Sequence, residues 1–214
     1  MNVRIHATAM IEEGVELGAG TAIWDHAHIR HHACLGEECI VGGKASIAYD
    51  VRIGNRCKIG PFVSVCAGVE IEDGVMLAIG VVFTNELFPR ATTPDLSQLR
   101  DSSPTDRTLT TRVCAGATIG ANATVRGGLE IGRWSMIGMG SVVTRSVRPF
   151  HLVMGNPARL VGCVCRCGDL LERLSADRPV SLSEITCASC GLKYRIELNE
   201  VSELTPPASP LGEV

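Results

Sequence analysis

Residues 23–65 read IWDHAHIRHHACLGEECIVGGKASIAYDVRIGNRCKIGPFVSV. Counting by six from Ile23 gives Ile29, Leu35, Val41, Ile47, Ile53, Ile59 and Val65, each a large aliphatic residue. Four residues after each large one stands a small or β-branched companion: Ala27, Ala33, Cys39, Ala45, Val51, Cys57 and Val63. A period of six fits neither the 3.6 of a helix nor the simple alternation of a long strand. It fits a coil in which every hexad makes one short strand and one corner, with the large side chain turned inward. The register runs back through Leu17 to Ile11 and Ile5, and forward through Ile71, Leu77 and Phe83. It breaks there and resumes at Val113, Ile119, Val125, Ile131, Ile137 and Val143. Three hexads close one turn of a triangular prism, and stacked turns bury a continuous aliphatic column. The expectation is an all-β parallel β-helix, roughly 30 Å long at about 4.8 Å per coil.

Composition agrees. The chain has 214 residues, 45% hydrophobic but only 4% aromatic, so its core must be built from Val, Ile, Leu, Ala and Met. A net charge of −3 gives no global basic field, which argues against a nucleic-acid or anionic-membrane partner. Arg4, Glu12, Glu13 and Glu16 interrupt the N-terminal stretch, and nothing later is apolar enough to span a bilayer. The expected location is the cytoplasm, where ten cysteines are free thiols or metal ligands rather than disulfides.

Two segments depart from the repeat. Residues 84–112, TNELFPRATTPDLSQLRDSSPTDRTLTTR, are thrown out of one corner as a long polar loop, and such loops in compact domains are usually functional. After Val147 the repeat ends in RPFHLVMGNPARLVG, which closes a β-helix domain expected over 1–162. Residues 163–198 form a distinct appendage, and the proline-bearing tail 199–214 is expected to be disordered.

The appendage holds CVCRCGDLL (163–171) and CASCGLKY (187–194). Cys165 with Cys167, and Cys187 with Cys190, make two knuckles each followed by Gly, a spacing suited to a tetrahedral four-cysteine zinc site of zinc-ribbon type. The alternative is four thiols without metal, and Cys163 is a substitute ligand. Cys34, Cys39, Cys57, Cys66 and Cys114 read as small core or surface residues. His26, His28, His31 and His32 cluster, but a catalytic zinc would need a third histidine further along, and after His32 only His151 follows. They read as corner residues, one of which could line a ligand groove.

Phe83, Thr84, Asn85, Pro89, Arg90 and Ala91, where the repeat is interrupted, carry a resemblance. This F-T-N…P-R-A exit resembles that of the hexapeptide-repeat N-acetyltransferases acting on nucleotide-linked 3-amino sugars. The likeness continues through Ile23-Trp24 with His28, GATIGANATV (116–125), IGMGSVVTRSV (137–147) and MGNPAR (154–159). It covers nearly all of residues 3–162 and is nearest to enzymes acetylating a UDP-linked 2-acetamido-3-amino glucuronate, with TDP-linked substrates close behind. Members often carry His after the Trp where this chain has Asp25. The resemblance implies a left-handed helix and transfer of acetyl from acetyl-CoA to a sugar 3-amine for bacterial surface polysaccharide. It implies that Asn85 positions the amine, that Arg90 clamps a phosphate or carboxylate, and that His28 and Glu86 stand near the sugar, Glu86 either polarising the amine or simply solvated. Arg100, Arg107 and Arg112 are weaker candidates for the clamp. Coenzyme A is implied along Gly138, Met139 and Gly140, with Asn156, Pro157 and Arg159 near the adenine and Arg145 or Arg148 at the 3′-phosphate. Sites between neighbouring prisms imply a homotrimer. A sugar O-acetyltransferase and a non-catalytic β-helix interaction protein are the other readings.

Overall fold

The computed structural model describes residues 2–101, 103–177 and 179–207. The expected prism is present. Three parallel sheets form its faces: the first joins strands from Arg4–Ile5 to His151–Met154, the second from Met10–Ile11 to Val142–Val143, and the third from Glu16–Leu17 to Glu130–Ile131. Arg4 pairs with Ala22 and Ala22 with Ile40, so each coil sits directly on the one before. The large residues of the repeat fill the interior, where Ile29, Ile47, Leu77, Ile119 and Ile131 are fully buried. The small companions are buried with them because the corner leaves no room for a larger side chain, as at Ala27, Ala33 and Cys39.

One buried corner column supplies its own polar closure. Thr21 Oγ1 donates to Gly36 O at 2.8 Å, Cys39 Sγ to Gly54 O at 3.0 Å and Cys57 Sγ to Glu72 O at 3.1 Å. Each satisfies a corner carbonyl that the strand ladder does not reach. Cys39 and Cys57 are therefore core residues, as expected.

The corners need a left-handed backbone residue every sixth position. Glycine serves at Gly14, Gly20, Gly74 and Gly80, but His26, His32, Glu38, Lys44, Asp50, Arg56 and Phe62 hold the same conformation at φ 53–60°. Each such non-glycine corner costs about 1–2 kcal/mol, sustained by the coils on either side.

The excursion is tighter than 84–112. Thr84 N still donates to Val125 O, and Val69 pairs with Thr111, so the strand Thr111–Val113 is already back in the ladder. Only residues 86–109 are inserted between in-register positions.

At the other end the structure corrects two boundaries. The break expected at 162/163 falls inside strand Arg159–Val164, which pairs antiparallel with His151–Met154 and with Leu170–Glu172, extending the first face. The disorder expected from residue 199 is overturned for residues 199–203. Strands Ser183–Thr186, Lys193–Glu197 and Glu200–Glu203 form an antiparallel sheet, its second hairpin turning at Leu198 (φ 49°) and Asn199 (φ 64°). Asn199 is buried because it ties three segments together: its Nδ2 donates to Ser175 O, its Oδ1 accepts Val180 N, and its O accepts His151 Nε2 at 2.7 Å. The tail expectation for 208–214 lies outside the described residues.

Candidate active site

Corner residues one coil apart stack along a prism edge, and the edge between the second and third faces carries His31, Tyr49, Ala67 and Asn85 in succession. Asn85 Nδ2 donates to Ala67 O at 3.1 Å across the eighteen-residue coil step. Leu109 N donates to Asn85 O at 2.9 Å, pinning the two roots of the excursion together. Gly127 supports them from the next coil, where a β-carbon would lie 2.8 Å from Thr84 O and 3.0 Å from Asn85 Cα. The excursion folds back on itself: Thr92 bridges Leu99, and Thr93 and Ser97 donate to Asp95, holding that carboxyl down at about 2.

The result is a cleft of about 660 Å³ bounded by Tyr49, Asn85, Glu86, Arg90, Arg100 and Asp101. A second hollow of about 680 Å³ opens within the loop beside Glu86, Arg90 and Arg107. Asn85, Glu86 and Arg90 thus line one space, joined by Arg100. Arg112 does not, since its Nε donates to Glu72 Oε1 at 2.7 Å on the third face. Among the described residues no histidine lines the cleft. Tyr49 was missed from the sequence, although stepping back two coils from Asn85 along the repeat reaches it.

His28 is not brought to this cleft. It pairs in the second face with Ser46, which leads through Ser64 to Val82, three coil spacings or about 14 Å away. Instead Glu12 gathers the histidines: its carboxylate meets His28 Nε2 at 2.6 Å, His31 Nδ1 at 3.0 Å and His31 N at 3.0 Å, with Arg30 at 3.6 Å. His31 then stacks on Tyr49 with ring centres 5.2 Å apart, so it touches the cleft wall through that ring. The His31 N–H, then the two imidazoles, hold the Glu12 carboxyl down at about 2 from its usual 4.5. A depressed folded value means the stabilisation is present above about pH 4.5 and is lost as pH falls towards 2. The protection factor of the His31 amide, its exchange relative to the unfolded chain at the same pH, should therefore fall over that window, and an unchanged protection factor would mean the carboxylate does not hold this corner.

The residues expected at coenzyme A lie elsewhere on the prism. Gly138, Met139 and Gly140 form the edge between the first and second faces on the last full coil, with Met139 81% exposed. The Asn156–Pro157 turn folds onto the same coil: Gly155 N donates to Ser141 Oγ at 3.1 Å and Ala158 N to Val142 O at 2.9 Å. Arg159 instead lines a cleft of about 580 Å³ with Arg145 and Arg148, walled on one side by Pro179 and Asn199. Arg148 also meets Glu200 at 3.3 Å. On one chain, then, the Asn85 cleft and the Gly138–Gly140 corner stand on different edges.

The four predicted cysteine ligands do converge. Cys165 Sγ lies 3.3 Å from Cys190 Sγ, Cys167 Sγ 3.6 Å from Cys187 Sγ, and all four sulfurs are within 4.8 Å of one another.

The sequence pattern of the bacterial transferase hexapeptide family, in six repeats, matches residues 50–85 and 110–145, stopping and resuming where the excursion leaves and rejoins the prism. Over those residues the chain is similar to that family. Among curated proteins, the chain is 39% identical over 94 residues to the dTDP-3-amino-3,6-dideoxy-α-D-galactopyranose 3-N-acetyltransferase of Aneurinibacillus thermoaerophilus, covering 44% of the chain and 45% of that protein. It is 29% identical over 173 residues to the bifunctional protein GlmU of Alkalilimnicola ehrlichii, 73% of the chain and 37% of that protein. The chain thus spans less than half the length of these relatives. A solved structure of AntD, an N-acyltransferase from Bacillus cereus in complex with dTDP and coenzyme A, shares the fold at TM-score 0.50 and 16% identity, over 77% of the chain and 84% of AntD. Among the described residues no helix is long and apolar enough to cross a membrane.

Proposed function

We propose that this protein is an N-acetyltransferase that moves acetyl from acetyl-CoA to the 3-amino group of a nucleotide-linked sugar, for bacterial surface polysaccharide made in the cytoplasm. The observation that carries this reading is the cleft at the loop root, where an anchored amide and two guanidinium groups surround the same space and no described imidazole does. The relative that acetylates a TDP-linked 3-amino sugar supports it.

The amine must be neutral to attack the thioester carbonyl. With Nδ2 of Asn85 held by Ala67 O, its Oδ1 accepts an N–H of the amine and aims the nitrogen lone pair at the carbonyl carbon. An amide is no base at neutral pH, so the role is positioning, and most of the rate comes from holding two reactants together. The N–C bond forms, the C–S bond breaks, and the proton leaves the nitrogen for the coenzyme A thiolate. Arg90 and Arg100 match the phosphates of the nucleotide carrier. A hydroxyl acceptor would call for an imidazole base, and none of the described residues lining this cleft supplies one, which disfavours O-acetylation.

The separation of the Asn85 cleft from the Gly138–Gly140 corner supports a site completed between two copies in a homotrimer of left-handed prisms. Exposed Met10 and Val82 on the second face, and Phe62 and Ile79 on the adjoining edge, supply apolar surface for such packing. The cysteine-bearing appendage takes no part in transfer in this reading.

The test is thiol release from acetyl-CoA against UDP- and TDP-linked 3-amino and 3-hydroxy sugars. Release only with a 3-amine is expected. Release with the hydroxyl sugars alone would replace the reading with O-acetylation, and silence with every acceptor would remove it.

A further inference from the structure

The four-cysteine group stands outside this chemistry, and it sits where two sheets meet. Cys165 directly continues strand Arg159–Val164 of the first face. Cys187 and Cys190 lead into Lys193–Glu197 of the C-terminal three-stranded sheet, which among the described residues pairs with no prism face. We propose that Cys165, Cys167, Cys187 and Cys190 hold one zinc ion as four thiolates, and that this ion fastens the C-terminal sheet to the end of the prism.

The geometry is close to that of the bound state. Four sulfurs at about 2.3 Å from a tetrahedral zinc are about 3.8 Å apart, against 3.3 and 3.6 Å for two of the pairs and 4.8 Å at most for any pair. Disulfides would need about 2.0 Å and would gather cysteines in pairs, with no reason to collect all four.

The two knuckles are built alike, although one is a residue shorter. Cys165 N donates to Asp169 O at 2.8 Å and Cys187 N to Leu192 O at 2.9 Å. Gly168 (φ 98°) and Gly191 (φ 76°) each follow the second cysteine, with their N–H returned to the O of Cys165 and of Cys187. An all-sulfur set without carboxylate or imidazole disfavours magnesium, calcium or manganese and selects zinc or iron, and a closed shell has no position for substrate.

The surroundings make the centre a fastening. Tyr194 OH lies 3.1 Å from Cys165 Sγ and accepts Arg166 N at 3.1 Å, while its ring meets Phe150 edge-on. Arg166 grips Glu203 of the last strand through Nε at 2.5 Å and Nη2 at 2.7 Å, and its guanidinium lies over Trp134 of the last coil.

The experiment is elemental analysis and limited proteolysis of the full chain purified without added metal. One zinc per chain is expected, lost in Cys187→Ser/Cys190→Ser and retained in Cys114→Ser. The double variant should be cut between Arg166 and Lys193 while the strand signal of the prism persists. Should that variant fail to fold, cobalt exchanged into the native chain should give the absorption of a tetrahedral four-thiolate site. Iron in place of zinc, disulfides among the four by mass spectrometry, or a metal-free native chain would each overturn the proposal. An unchanged cleavage pattern after zinc loss would overturn the fastening role.

Discussion

Asn85→Ala should lower turnover of a 3-amino nucleotide sugar about 100-fold, the scale expected when a reactant loses its positioning contact, with KM for acetyl-CoA little changed. The variant removes the amide held against Ala67 O but leaves the loop pinned by Leu109 N to Asn85 O, a backbone bond that no side-chain change deletes. The stability cost of one lost hydrogen bond is about 1 kcal/mol, too little to explain a hundredfold loss by unfolding. Steady-state kinetics with thermal melting separate the two effects. Turnover within a few-fold of the native chain would reduce Asn85 to a brace for the excursion and shift the search to Glu86 and Tyr49.

Gly60→Ala should be strongly damaging for the addition of a single methyl. A β-carbon there would lie 2.7 Å from Ile79 N, 2.8 Å from Ala78 C and 2.9 Å from Leu77 O, all backbone of the next coil. Side chains could turn away, but a hydrogen-bonded ladder cannot, and Gly60 N is itself bonded to Leu77 O at 2.7 Å. The coils must part, costing roughly 3 kcal/mol or more and about 6–12 °C in Tm for a chain of this size. Gly140→Ala is the informative comparison, because Gly140 has φ 67° but nothing within 4 Å of a β-carbon. It should cost only about 1 kcal/mol, the price of the left-handed conformation. Equal melting losses in the two variants would mean that inter-coil crowding is not what reserves position 60 for glycine.

The prism was legible because its two defining properties are written in side-chain size: large at one position, small four later. The corner conformation was not. Glycine would have marked it at Gly14 or Gly74, yet between His26 and Phe62 seven successive corners carry ordinary residues forced into it by the coils above and below. Likewise the F-T-N…P-R-A exit pointed to Asn85, but Tyr49 emerged only when stacking placed it two coils beneath. The place of His28 was hidden for the converse reason: its position in the sequence does not reveal that Glu12 holds it three coils from the cleft of its own chain. The C-terminal hairpin escaped because Leu198-Asn199 lacks the glycine that usually announces such a turn, and its order depends on contacts with Ser175, Val180 and His151.

Residues 86–109 leave and re-enter the prism between positions that stack as neighbours, with Val69 opposite Thr111 and Phe83 opposite Val125. The scaffold therefore places almost no demand on what lies between Asn85 and Thr110. That segment can therefore be exchanged wholesale, as a tool head is changed on an unaltered handle, while the coils stay fixed.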